Sequence, residues 1–189
     1  MTRQYSSAMA GTVRVGIIGT SWWAEAMYLP ALAEHPHGRI TALCGRDLDR
    51  ARAVASAWGV DEVYGDAEEM FANVDAVIVA SSNATHHRFA LAALQRGLPV
   101  LCEKPLGLDG READELAEAA ARSGVATMTP FTYRFMPVFG EMRHRIDTGY
   151  VGAPSHMAAR YYTGYARDGE YSWRFDRAEA GSGVLGDLG

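Results

Sequence analysis

Short runs of aliphatic and β-branched residues alternate along the chain with longer segments whose apolar residues recur at helical spacing. A short apolar run that ends at a turn residue predicts a buried strand, and apolar residues three and four apart predict a helix. Strands are predicted at Val13–Ile18, Arg39–Cys44, Val74–Ala80, Leu98–Cys102 and Val125–Met128. Helices are predicted at Trp22–Glu34, Asp49–Trp58, Asn83–Arg96 and Asp109–Arg122. This alternation predicts an α/β fold, a doubly wound parallel sheet covered by helices on both faces.

The pattern changes at Pro130, where the regular alternation stops. A helix is predicted at Val138–Thr148 and a weak strand at His156–Thr163, and aromatic residues crowd the last 40 positions. The sequence therefore predicts a frayed N-terminus (1–10), a dinucleotide-binding domain (11–130) and the beginning of a second α/β or α+β domain (131–189). One or two strands do not make a stable sheet in water, so we expect this second domain to be incomplete.

Composition excludes several classes of protein. The 189 residues are 48% hydrophobic and 22% charged, with a net charge of −5, so no basic surface for nucleic acid is expected. Apolar stretches are too short to span a bilayer, and the N-terminus has no secretory pattern. Two cysteines and scattered histidines predict neither a disulfide framework nor a metal site. The expected protein is cytoplasmic, with reduced thiols.

A glycine-rich turn follows the first predicted strand. Gly19-Thr20-Ser21-Trp22-Trp23-Ala24 matches the dinucleotide-binding pattern G-x-G-x-x-G/A, with Ser21 in place of the middle glycine. The first glycine permits the tight turn, and the helix N-terminus behind it would hold a pyrophosphate. A glycine turn of an ordinary α/β protein is the alternative explanation, and only the strand-turn-helix context favours nucleotide binding.

The end of the second predicted strand decides which dinucleotide is expected. NAD-binding proteins carry an acid there for the ribose hydroxyls, but this chain has Gly45-Arg46. The absence of a carboxylate removes repulsion of a 2′-phosphate, and Arg46 can pair with that phosphate. NADP is therefore the predicted cofactor, with NAD as the alternative. Nearby Asp47 and Asp49 leave open that Arg46 is only a solvated loop charge.

Two further motifs lie at predicted strand ends. Glu103-Lys104-Pro105 follows the fourth predicted strand, at the edge where open α/β sheets bind ligands. A lysine there can donate to a substrate hydroxyl or carbonyl, although a surface charge pair would look the same in sequence. Asn83 is expected to cap the helix that carries His86 in its first turn, where a partly exposed structural histidine is the more common case.

Together these stretches resemble the Gfo/Idh/MocA family of oxidoreductases. The matching segments are Val15-Gly-Ile-Ile-Gly-Thr-Ser21, Ser82-Asn-Ala-Thr-His86, Leu101-Cys-Glu-Lys-Pro105, Tyr133-Arg-Phe-Met-Pro137, Trp173-Arg-Phe-Asp176 and the closing run from Gly181 to Gly189. The resemblance implies a Rossmann domain that binds NAD or NADP. It also implies hydride transfer to or from a secondary alcohol or carbonyl, often of a sugar or cyclitol.

The resemblance also implies roles for individual residues. Lys104 and Asp187 are the expected catalytic residues. The expected cofactor-binding residues are Gly19, Thr20, Ser21, Trp22, Gly45, Arg46, Asn83, His86, Glu103 and Lys104. A polar, aromatic site for a sugar-like or polyol-like ligand is expected from Tyr133, Arg134, Trp173 and Arg174, with packing roles as the alternative.

The position of the C-terminus affects the expected activity. The family's catalytic histidine would fall at position 191, two residues past Gly189, so the sequence predicts a truncated oxidoreductase. The alternatives are a non-catalytic NAD(P)-binding protein and an inactive fragment. A full-length relative is expected to form a homo-oligomer.

Overall fold

A computed structural model describes residues 11–162, 164, 167, 169 and 175–181. Its strands are β1 (Val13–Ile18), β2 (Gly38–Cys44), β3 (Glu62–Tyr64), β4 (Ala76–Val79), β5 (Val100–Cys102) and β6 (Thr127–Met128). Its α-helices are α1 (Leu29–Ala33), α2 (Leu48–Trp58), α3 (Ala67–Phe71), α4 (Asn83–Gln95), α5 (Gly110–Ser123), α6 (Pro137–Asp147) and α7 (Arg177–Ala180). A π-helical turn (Ala24–Tyr28) precedes α1, and a 3₁₀ turn (Thr132–Phe135) precedes α6.

The six strands form one parallel sheet in the order β3-β2-β1-β4-β5-β6. Chain order runs outward from β1 in one direction and then from β4 in the other, so the topological switch point lies between β1 and β4. Ligands of open α/β sheets bind at this point, beyond the carboxyl ends of the strands. The predicted doubly wound fold of Rossmann type is confirmed.

Helices cover both faces of the sheet, and each face has its own apolar core. On one face, Leu29 of α1 and Val54 of α2 pack against Ile17 and Leu43. On the other face, residues of α3, α4 and α5 pack against Ile18, Val77 and Val100. Apolar residues run without interruption along the central strands, because both sides of these strands are buried.

Three short elements, β3, α3 and α7, were not predicted from the sequence. Each has only three to five residues, too few to show a hydrophobic period. The structure shows why α3 matters: a Cβ at Gly16 of β1 would lie 2.9 Å from the sulfur of Met70. The glycine in β1 therefore makes room for a fully buried methionine from α3.

The region after β6 differs from the sheet domain. The predicted helix at Val138–Thr148 is present as α6, and all of its residues are exposed. The predicted strand at His156–Thr163 is wrong for 156–162, which lie outside any helix or strand, while Thr163 is outside the described residues. Weak alternation does not hold a strand without a paired neighbour, and none of the described strands runs beside this segment.

Arg14 and Asp75 link the starts of β1 and β4. Asp75 accepts hydrogen bonds from the Arg14 backbone N–H (2.8 Å), Nε (3.1 Å) and a terminal guanidinium nitrogen (2.7 Å). The side-chain hydrogen bond from Arg14 is the largest cause that lowers the pKa of Asp75 below its ordinary value. A lowered folded-state pKa stabilises the fold above the unfolded-state pKa, and this contribution is lost as the pH falls through the folded value.

We expect Asp75→Asn to lower the free energy of unfolding at neutral pH, and the difference from the parent to shrink as the pH falls below about 4. Urea denaturation at several pH values measures this difference. Asp61→Asn is the matched control, because Asp61 pairs with Arg39 through a single, more exposed contact. A difference that stays constant down to acid pH would contradict the assignment.

Candidate functional site

The turn after β1 passes extremely close to the end of β4. Gly19 has a φ of 112°, and a Cβ there would lie 2.4 Å from the carbonyl oxygen of Ala80. The Gly19 N–H donates to the Cys44 carbonyl at the end of β2 (2.8 Å). Only glycine meets both the backbone conformation and the contact distance. The structure thus gives a specific reason for the first glycine of the motif.

The loop that follows is held from α2. Arg50 donates from Nε to the Thr20 carbonyl (2.6 Å) and from a terminal nitrogen to Glu25 (2.7 Å). Ser21 stands at the turn into the helical segment, whose first N–H groups are a suitable anion site. Trp22 is 57% exposed and stacks edge-on against Trp23. No role was predicted for Arg50 from the sequence, because its partners Thr20 and Glu25 lie 30 and 25 positions away in the chain.

The loop after β2 contains Gly45, Arg46 and the N-cap of α2. A Cβ at Gly45 would lie 3.2 Å from the Thr20 hydroxyl, so this position is crowded. Asp47 caps α2 by accepting from the N–H groups of Asp49 (3.1 Å) and Arg50 (3.0 Å). Arg46 is exposed and has no ion pair within the described part of the chain. The competing acid is therefore committed to the helix, and the guanidinium of Arg46 remains available to an anion.

The prediction that Asn83 caps the helix is wrong, because Ser82 is the N-cap and Asn83 is the first residue of α4. Asn83 and His86 both have partners within the protein. The Asn83 amide donates to the Ala180 carbonyl of α7 (3.3 Å). His86 is 1% exposed, with Nδ1 2.7 Å from the Pro105 carbonyl and Nε2 3.1 Å from the Ser81 carbonyl. The structure thus places His86 in the interior, not partly exposed at the helix start. Their role in cofactor binding stays a prediction, and these side chains already have intramolecular contacts.

Glu103 is a buried carboxylate with three donors. Its Oε1 accepts from the indole N–H of Trp23 (2.6 Å) and the hydroxyl of Tyr28 (2.5 Å). Its Oε2 accepts from the backbone N–H of Lys104 (3.1 Å). Burial, followed by the hydrogen bond to Glu103, raises the pKa of Tyr28 well above its ordinary value, so this hydroxyl keeps its proton and donates. Glu103 therefore connects the helix of the glycine-rich turn with Lys104.

Lys104 is the only lysine in the chain. Of the 18 Lys and Arg residues, the other 17 are arginine. Its half-buried position at the carboxyl end of β5 places the single primary amine side chain at the ligand-binding edge. The prediction for Lys104 came from the Glu-Lys-Pro motif and not from this count. That the chain has one lysine among many arginines can be read from the sequence alone.

The cysteine thiols do not suit nucleophilic chemistry. Burial raises the pKa of Cys102 to about 12 and that of Cys44 to about 11. Both therefore stay protonated at neutral pH, and the thiolate is the reactive form. Over the described ranges, no three His, Cys, Asp or Glu residues cluster as metal ligands would, and no helix is long and apolar enough to cross a bilayer.

The predicted substrate residues are only partly described. The Tyr133 hydroxyl donates to that of Tyr161 (2.9 Å), and the Tyr133 ring lies 5.5 Å from that of Phe139. Arg134 lies in the same exposed 3₁₀ turn. Trp173, Arg174 and Asp187 are outside the described residues. The structure therefore neither brings this set together nor separates it.

The segment before the closing glycine-rich run does reach the site. Ala180 is buried against α4, where its carbonyl accepts from Asn83. A Cβ at Gly181 would lie 3.0 Å from the carbonyl of Leu108, four residues after Lys104. The chain therefore passes the loop of Lys104 at Gly181, six residues before Asp187.

Comparison with known proteins agrees with this architecture. Residues 13–131 match the model of an oxidoreductase family with an NAD-binding Rossmann fold, and residues 139–189 match the GFO/IDH/MocA C-terminal domain. The chain is 31% identical over 172 residues to an NADP(+)-dependent scyllo-inositol 2-dehydrogenase of Bacillus subtilis, which covers 90% of this chain and 49% of that protein. It is 33% identical over 178 residues to 1,5-anhydro-D-fructose reductase of Ensifer adhaerens, which covers 93% and 53%.

A solved structure gives the same result in three dimensions. The oxidoreductase domain protein of Kribbella flavida superposes with a TM-score of 0.87 at 34% identity, covering 95% of this chain and 51% of that one. The chain thus spans about half the length of the relatives that it matches. The parallel sheet, the strand-end motifs and both family matches lead to one conclusion: the chain belongs to the Gfo/Idh/MocA family of NAD(P)-dependent oxidoreductases.

Proposed function

We propose that this protein is an NADP-preferring oxidoreductase that acts on a secondary alcohol or carbonyl of a sugar-like or cyclitol-like small molecule. One observation carries the proposal: the ends of four adjacent strands place the Gly19 turn, Arg46, the start of α4 and Lys104 along one edge. That edge is where doubly wound sheets bind dinucleotides. The sugar or cyclitol class is supported by the printed activities of the Bacillus subtilis and Ensifer adhaerens relatives.

The residues of the edge fit a dinucleotide. The pyrophosphate lies above the first helical N–H groups in this proposal, with Thr20 and Ser21 in the loop and Trp22 exposed beside it. Arg46 pairs with a 2′-phosphate, because no acid stands at Gly45 and Asp47 caps α2. The dinucleotide, when bound, supplies or accepts the hydride.

The chain's own residues handle the reacting oxygen. Lys104 donates a hydrogen bond to the substrate hydroxyl or carbonyl, which stabilises negative charge on that oxygen. Asp187 is the second catalytic residue in this proposal. Gly181, six residues before Asp187 in the chain, lies close to the loop of Lys104. Residues 131–189, with Tyr133, Arg134, Trp173 and Arg174, belong to the substrate domain in this proposal.

A second candidate is a dinucleotide-binding protein without turnover. The described residues include a complete Rossmann sheet and its cofactor edge, which supports binding independently of catalysis. The two candidates agree on NADPH binding and differ on turnover, so the measurement of turnover below separates them.

Arg46→Ala tests the cofactor preference. Loss of a charge-assisted hydrogen bond is expected to weaken NADPH binding by about 1.5–3 kcal/mol and to leave NADH binding nearly unchanged. Fluorescence titration with both cofactors measures this. Arg52→Ala is the matched control, because Arg52 lies on α2 and pairs with Asp49. Equal weakening of both cofactors would show that Arg46 is structural.

Lys104→Ala tests the chemistry. We expect turnover with scyllo-inositol and NADP(+), or with 1,5-anhydro-D-fructose and NADPH, to be lost while the affinity for NADPH stays within about threefold. Absorbance at 340 nm follows the reaction. Turnover that survives in Lys104→Ala removes Lys104 from the mechanism. A parent chain that binds NADPH tightly but turns over none of these substrates favours the second candidate.

A further inference from the structure

Trp23 and Tyr28 both donate to one oxygen of Glu103, although they lie five positions apart in sequence. In a regular α-helix, residues five apart point about 140° away from each other, because each residue advances the helix by about 100°. Two such side chains would not reach a single atom. The local helix geometry must therefore differ, and the structure shows how.

A π-helical turn lies between these two residues. It covers Ala24–Tyr28, and the Leu29 N–H donates to the Ala24 carbonyl five residues back. A π-turn holds more residues than the 3.6 of an α-helical turn, so the angle between positions five apart is smaller, and Trp23 and Tyr28 can both reach Glu103. Single π-turns within helices occur often at functional sites. Here the turn brings two donors to one buried carboxylate.

The Glu103 carboxylate also contacts the backbone of the next residue, Lys104. With Oε1 occupied by Trp23 and Tyr28, Oε2 accepts from the backbone N–H of Lys104 (3.1 Å). The Glu103 N–H also donates to the Val79 carbonyl of β4 (2.9 Å), so both the backbone and the side chain of Glu103 are fixed. A carboxylate that lost its donors would reorient, because a buried charge requires partners.

We propose that Trp23 and Tyr28 are positioning residues, which hold the Glu103 carboxylate so that it fixes the backbone of Lys104 and the point at which its side chain leaves the sheet. This proposal rests on the proposed function, because the position of Lys104 matters through its contact with substrate. It adds a specific link: the helix that begins at the cofactor turn also sets the geometry of the reacting edge.

The single lysine allows a direct test. Reductive methylation with ¹³C-formaldehyde labels only Lys104 and the α-amino group of Met1, so one lysine signal appears in a ¹³C spectrum. In the folded parent, we expect this signal to be displaced from its position in the urea-unfolded chain. In Trp23→Phe/Tyr28→Phe it should move more than halfway toward the unfolded position, and each single variant should move it part of the way.

Matched controls separate positioning from general loosening of the fold. Tyr64→Phe removes a tyrosine hydroxyl that contacts Glu62 and Asn73, and Trp58→Phe alters a tryptophan at the end of α2. Neither should move the lysine signal, while circular dichroism checks that every variant is folded. If the double variant does not fold, Tyr28→Phe, which removes a single oxygen atom, carries the test.

The outcomes distinguish this proposal from the function on which it rests. An unchanged lysine signal in folded Tyr28→Phe and Trp23→Phe overturns the positioning role, even if Lys104→Ala abolishes turnover. A moved signal together with full turnover in Lys104→Ala supports the positioning role and overturns the proposed chemistry. The spectrum needs neither cofactor nor substrate, so the two results are independent.

Discussion

The fold depends on the close approach of two backbone segments at the carboxyl ends of the central strands β1 and β4. Gly19 turns the chain after β1 so close to Ala80 that no side chain fits between them. Its N–H also bonds to Cys44, so one residue connects the carboxyl ends of β2, β1 and β4. The helix that follows can then begin directly above this edge.

A buried carboxylate is the second organising feature. Glu103 costs free energy to bury, and donors from Trp23, Tyr28 and Lys104 offset that cost. Because the first two donors come from the helix after the glycine-rich turn, the arrangement links that helix to the backbone of Lys104. Glu103 is unfavourable in an apolar interior without these donors, and with them it links the helix after the glycine-rich turn to Lys104.

The start of α4 holds its surroundings in place. His86 lies between the carbonyls of Ser81 and Pro105, and a neutral imidazole can donate to only one of them. Asn83 holds the Ala180 carbonyl of α7. These two polar residues brace the loop of Lys104 on one side and the approach to the closing glycine-rich run on the other. In the described structure both side chains of this motif have intramolecular contacts, and their role in cofactor binding stays a prediction.

The sequence by itself determined the alternating elements, the parallel sheet and the positions of the strand-end motifs, because hydrophobic period and turn residues are local properties of the chain. It also placed Gly19, Arg46 and Lys104 at strand ends, which share one edge in any parallel sheet. Short elements such as β3 and α3 escaped because they show no period. Only the tertiary structure decided that His86 is buried and that a π-turn brings Trp23 and Tyr28 to Glu103. These are contacts between residues distant in sequence, or departures from regular helix geometry, and pattern alone does not encode them.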